Sequence, residues 1–115
     1  MKKLFFSVLF VFLTFFAFGQ TWESYSLNNK YIHRGVASHD TKIFLAGGGF
    51  NGEIFSQIDI YDIKTQTWDH KQHLTVPRML AAGARCGNKV IFAGGLVDFR
   101  LNVSDVVALI DLVVQ

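Results

Sequence analysis

Lys42–Gly48 reads KIFLAGG, and Lys89–Gly95 reads KVIFAGG. A short apolar run closed by a glycine pair reads as a strand buried on both faces. The same signal occurs twice, forty-seven residues apart, and the text around it also repeats. QTWE at Gln20–Glu23 returns as QTWD at Gln66–Asp69, and Leu27 corresponds to Leu74. Arg34 corresponds roughly to Arg78, and IYDI at Ile60–Ile63 returns as LIDL at Leu109–Leu112. Internal periods of about 20–50 residues mark repeat architectures, in which each unit needs a neighbour to bury its faces.

Within each repeat the signals are those of short strands. Ile43–Ala46 and Val90–Ala93 are the apolar runs, and Ile43, Leu45, Ile91 and Ala93 are expected to be among the most buried residues. Ile58, Ile60 and Asp62 alternate with Asp59 and Tyr61, which suits a strand with two unlike faces. The polar DIKTQT at Asp62–Thr67 turns the chain, and Trp68 begins the next strand. A further strand is expected around Ala81–Arg85, before the turn CGNK at Cys86–Lys89. Residues 20–115 carry no helix signal, and Pro77, the sole proline, sits in a loop. The glycine pairs provide backbone room, for positive φ and for close approach near an axis where strand ends converge.

An apolar strand ending in Gly47 and Gly48, followed by Tyr61 and then Trp68, resembles the kelch repeat. That repeat has a period of about 50 residues and forms one four-stranded blade of a propeller. The resemblance spans most of residues 20–115 as about two units. The second keeps Gly94 and Gly95 but has Ile110 where Tyr61 stands in the first. It implies an all-β fold of antiparallel four-stranded kelch-type β-propeller blades, with Tyr61 and Trp68 as large rings packed between sheets. Propellers have roughly 4–8 blades, so two units imply an incomplete ring. The expectation is a truncated or fragmentary propeller whose missing part is C-terminal, with the Trp22 strand as the strand that closes kelch rings.

The first nineteen residues are of another kind. Lys2 and Lys3 precede an apolar run, Leu4–Phe18, broken only by Ser7 and Thr14, and Ala17 and Gly19 are small residues before Gln20. This is the layout of a cleaved secretory signal of bacterial type, and its run is short of the about 20 residues a spanning helix needs. Residues 1–19 are therefore expected to form an export helix outside the blades, and residues 20–115 the kelch domain. The expected location is the periplasm, the cell surface or the medium, with membrane contact only during export. Removing Lys2 and Lys3 takes the formal charge from +2 to zero, so nothing remains to attract nucleic acid by charge. Cys86 is the single cysteine, which excludes an intrachain disulfide.

Chemistry is sparse. His70 and His73 in HKQH lack a nearby third ligand and read as loop histidines. His33 and His39 flank a turn and read likewise. Asp59, Asp62 and Asp69 read as solvated or turn-forming rather than as a catalytic carboxylate pair. GGGFNGE at Gly47–Glu53 has no helix after it to complete a phosphate cradle and reads as an inter-strand loop. Cys86 has no base partner and reads as a small buried or turn residue. Arg34, Arg78, Arg85 and Arg100 are candidates for lining a ligand face. The motif residues Gly47, Gly48, Tyr61, Trp68, Gly94 and Gly95 are structural, and no catalytic, metal or cofactor residue is assigned. Together with the export signal of residues 1–19, the resemblance implies an exported module that binds a protein or glycan through loops on rigid blades. The alternative it implies is a fragment of a sugar-acting propeller enzyme, similar to galactose oxidases or sialic-acid mutarotases.

Overall fold

A computed structural model describes residues 20–27 and 29–111. The expected export helix, residues 1–19, lies outside them. Nine strands follow in order: β1 (Gly35–His39), β2 (Lys42–Ala46), β3 (Gly49–Phe50), β4 (Glu53–Ile54), β5 (Gln57–Asp62), β6 (Thr67–His73), β7 (Ala82–Cys86), β8 (Lys89–Ala93) and β9 (Val107–Asp111). The described residues contain no helix. A four-stranded antiparallel sheet of order β1-β2-β5-β6 is the first blade, and a three-stranded sheet, β7-β8-β9, is the second.

Local chemistry sets the turns. Two-residue loops join β1 to β2 at Asp40–Thr41 and β7 to β8 at Gly87–Asn88, with Asp40 and Gly87 at positive φ. Between β2 and β5 the chain forms the small hairpin β3–β4. Its tip is Asn51–Gly52, both at positive φ, the pairing that matches strand twist in tight hairpins. At the β5–β6 turn, Asp62 Oδ1 accepts bonds from the Lys64 and Thr65 amides, so the carboxylate turns the chain.

The two blades stack face to face and share one core. Phe44, Ala46, Ile58 and Ile60 of the first blade meet Val90, Phe92 and Ala108 of the second. Their first strands, β1 and β7, approach most closely. A Cβ on Gly83 would lie 2.4 Å from the Val36 carbonyl oxygen, so only glycine admits this contact. Crowding thus falls on Gly83 as well as on the glycine pairs, where an added Cβ would lie 2.1 Å from Arg78 O at Gly47 and 2.5 Å from Met79 O at Gly95.

The expected core has to be corrected. Ile43, Leu45, Ile91 and Ala93 are only half-buried, whereas Phe44, Ala46, Val90 and Phe92 are buried. Alternate residues of a strand face opposite sides. The shared interface lies on the even-numbered side of both β2 and β8, leaving Ile43 and Leu45 on one outer face and Ile91 and Ala93 on the other. Residues 20–27 form no strand, contrary to the expected Trp22 strand. They lie instead against the outer face of the first blade, with the Tyr25 ring 5.3 Å from Tyr61.

Candidate functional site

Two places concentrate polar chemistry, one inside the first blade and one between the loops. The first centres on Asp59, which is 1% exposed. Its Oδ2 accepts bonds from Arg34 Nη1 at 2.5 Å and Asn29 Nδ2 at 2.8 Å. Its Oδ1 accepts from Gln57 Nε2 at 2.6 Å and lies 2.5 Å from His70 Nδ1. Burial alone would raise the carboxyl pKa. The bonds from Gln57, Arg34, Asn29 and His70 outweigh it and hold the group far below the usual carboxylate range.

Arg34 also binds the backbone. Its Nε donates to Gly47 O at 2.8 Å, and its Nη2 donates to Leu45 O at 2.8 Å and Gln57 O at 3.1 Å. The guanidinium therefore ties the end of β2 to the start of β5. Asp59 was expected to be solvated, and Arg34 was a candidate for a ligand face. Both are enclosed, because β5 turns Asp59 toward the face where Arg34 enters. His70 and His73 lie on β6, not in a loop. His70 stacks on Trp68, with centroids 5.9 Å apart and planes 9° from parallel. His39 is buried and its Nε2 lies 3.1 Å from Gly87 O, so it links the two blades instead of flanking an open turn. Cys86 is exposed at the end of β7, beside the Gly87–Asn88 turn, so of the two readings, buried or turn residue, the second fits.

The second blade repeats the cradle. Arg78 Nη1 donates to Gly94 O at 3.2 Å and to Val106 O, and its Nη2 lies 3.5 Å from Phe92 O. These carbonyls are the repeat counterparts of Gly47, Gln57 and Leu45. Arg78 is fully buried, and its Nε has no hydrogen-bond partner among the described residues. Burial pulls its pKa down. Ala108 occupies the position that Asp59 holds in the first blade.

The glycine pairs follow β2 and β8 at positive φ. Gly47 and Gly48 receive the loop before β7: Gly48 N donates to Arg78 O at 2.9 Å, and a Cβ on Gly47 would lie 2.1 Å from that oxygen. Tyr61 is buried, with its ring 4.8 Å from Trp68, its cross-strand neighbour.

The second place is an open cleft of about 660 Å³ between loops of the two blades. It is lined by Gly52 and Ile54 of the first hairpin, by Val76 and Pro77, and by Val97–Arg100. Phe99 is half-exposed and its ring abuts Gly49, so the two loops brace each other. Asp98 accepts bonds from the Arg100 and Asn102 amides and from Asn102 Nδ2, which fixes the loop and lowers its pKa. Arg100 is the only one of the four candidate arginines on the cleft, since Arg85 lies near Asp40, 3.9 Å away. The cleft thus offers an aromatic ring, a guanidinium and a carboxylate on braced loops. The residue pair Phe99–Arg100, an aromatic beside a cation in a loop, was the signal in the sequence that could have located it.

No curated protein matches this chain. Residues 31–72 match the family model of the kelch motif. That span reaches from just before β1 through most of β6, and kelch repeats in general mediate protein interactions. Residues 31–72 are therefore a kelch repeat, and the β1-β2-β5-β6 sheet is a blade of the kelch family.

Proposed function

We propose that the protein is an exported binding module that captures a protein or glycan in the cleft between its blade loops. The observation that carries this reading is the half-exposed Phe99 beside Arg100, on a loop held by Asp98 and by contact with the first hairpin. Recognition commonly sits on loops that a rigid scaffold positions. A flat ring accepts a sugar face or an apolar side chain, and the neighbouring Arg100 and Asp98 select polar groups around it. Export is supported by the charged, apolar and small-residue order of residues 1–19.

The test is a screen of glycan and exported-protein ligands against the immobilised protein, repeated with Phe99→Ala and Arg100→Ala. Each variant is expected to weaken a captured ligand by about tenfold or more while the fold is kept. Unchanged binding by both would place recognition elsewhere. For export, N-terminal sequencing of the envelope or secreted form is expected to begin at or near Gln20, and retained Met1 would overturn that part.

A further inference from the structure

Trp22 is 96% exposed, an unusual position for the largest apolar side chain. Its repeat counterpart, Trp68, sits on β6, the outermost strand of the first blade, opposite Tyr61. The second blade has no such strand among the described residues: its order is β7-β8-β9, and Val107 and Leu109 on β9 are 55% and 58% exposed. Gln20–Glu23 therefore has the sequence of a blade's outermost strand without the setting, and β9 has the setting without the strand. The two do not meet within one chain. Tyr25 packs on Tyr61 and Asn29 bonds Asp59, which places this segment on the Ile43 and Leu45 face of the first blade. The second blade packs on the opposite face, through Phe44 and Ala46.

We propose that the N-terminal segment of one copy adds as the fourth strand beside β9 of a second copy, so that copies join head to tail into a propeller ring. In the first blade Tyr61 pairs with Trp68 and Ile60 with Asp69. Carried through the repeat, this sets Ile110 opposite the other copy's Trp22, and Leu109 opposite its Glu23. The blade-to-blade contacts fall into place on the same register. Gly48 N donates to Arg78 O across the existing interface. The counterpart donor, Gly95 N, has no backbone acceptor among the described residues. The counterpart acceptor, Tyr31 O, receives no backbone bond among them. Leu74 packs against Gly47 in the existing interface, and its counterpart Leu27 is 41% exposed. A second copy supplies each missing half. An isolated sheet edge readily takes up another strand, and head-to-tail contacts close into rings when the rotation allows. Two copies bring about four blades and three bring about six, both within the range of closed propellers.

Light scattering on the protein purified from the full-length sequence is expected to give a discrete dimer or trimer. Trp22→Ala should raise its dissociation constant by about tenfold or more, as loss of a buried aromatic anchor does. Because that variant could also unfold, a second measurement uses two exposed positions. Glu23→Cys with Leu109→Cys, in a Cys86→Ser background, should form disulfides between chains under mild oxidation. A folded monomer at every concentration, as expected if further repeats or another partner cover β9, would overturn the proposal. So would a disulfide formed only within single chains, or none in a folded protein.

Discussion

The two blades share a backbone and differ at its most polar point. In both, a guanidinium binds the carbonyl of the first glycine of the pair, a carbonyl of the preceding strand and the carbonyl at the start of the third strand. The arginines enter from different places. The Ile32–Gly49 bridge is repeated by Met79–Leu96, so Arg78 aligns with Tyr31 and Arg34 with Ala81. What the repeat preserves is the cluster of carbonyl acceptors and a cation to serve them. Charge compensation is left to the individual blade. The first encloses Asp59 with four partners, while the second places Ala108 there, in the apolar core, and leaves Arg78 Nε unbonded among the described residues. A buried charge that keeps hydrogen bonds but lacks its counter-charge is tolerated when carbonyl dipoles surround it.

The largest effect expected from breaking this comparison is at the glycine pair. Gly47→Ala would drive a Cβ to 2.1 Å from the Arg78 carbonyl oxygen at a φ of 63°. A backbone atom cannot yield as a side-chain tip does, so a loss above about 4 kcal/mol is expected in urea unfolding. Gly94→Ala at a φ of 69° meets only Ser104 O, 3.9 Å away. It should cost about 1–2 kcal/mol from left-handed strain alone. Equal losses would show that the pair's packing against the next loop is unimportant.

Asp59→Ala removes the partner of a buried guanidinium and is expected to cost about 3 kcal/mol or more. The matching contrast is Arg34→Met against Arg78→Met. Both strand backbone carbonyls, but only the first also leaves a buried carboxylate. Urea midpoints should therefore fall further for Arg34→Met, and the reverse order would break the assignment of Asp59 as the counter-charge.

Acid sharpens the same difference. Asp59 has a folded pKa below its unfolded one. The stability it confers is thus fully present above the ordinary carboxylate range of about 4 and is lost as pH falls through that range and below. The wild type should lose urea resistance between about pH 5 and about pH 2, and Asp59→Ala should show a shallower slope. Asp62 and Asp98 are also held low by their turn bonds, so part of the slope remains in the variant. Identical slopes would mean that Asp59 is not held ionised.

Much of the strand plan was legible because its signals are local. KIFLAGG and KVIFAGG became β2 and β8, each with its glycine pair at positive φ. DIKTQT turned the chain through Asp62, as short polar side chains do. Asp59 and His70 were misread as solvated because residue type and exposure are usually linked in single sequences. Asp59's partners Arg34 and Asn29 are far along the chain, and His70 is drawn in only through Asp59. The core was misread by one residue in each strand, since a continuous apolar run does not reveal which face meets a neighbour.

By itself the sequence determined the repeat, most of its strands and turns, and the kelch character of residues 31–72. These depend on residues near one another, where backbone sterics and alternating apolarity act directly. Only the tertiary structure decided which faces are buried, that Asp59 compensates Arg34 while Arg78 meets no carboxylate among the described residues, and that Phe99 and Arg100 border a cleft. Each of these depends on residues brought together across blades or across distant strands. Burial and charge compensation are properties of what surrounds a side chain in space, and that is set only when the sheets stack.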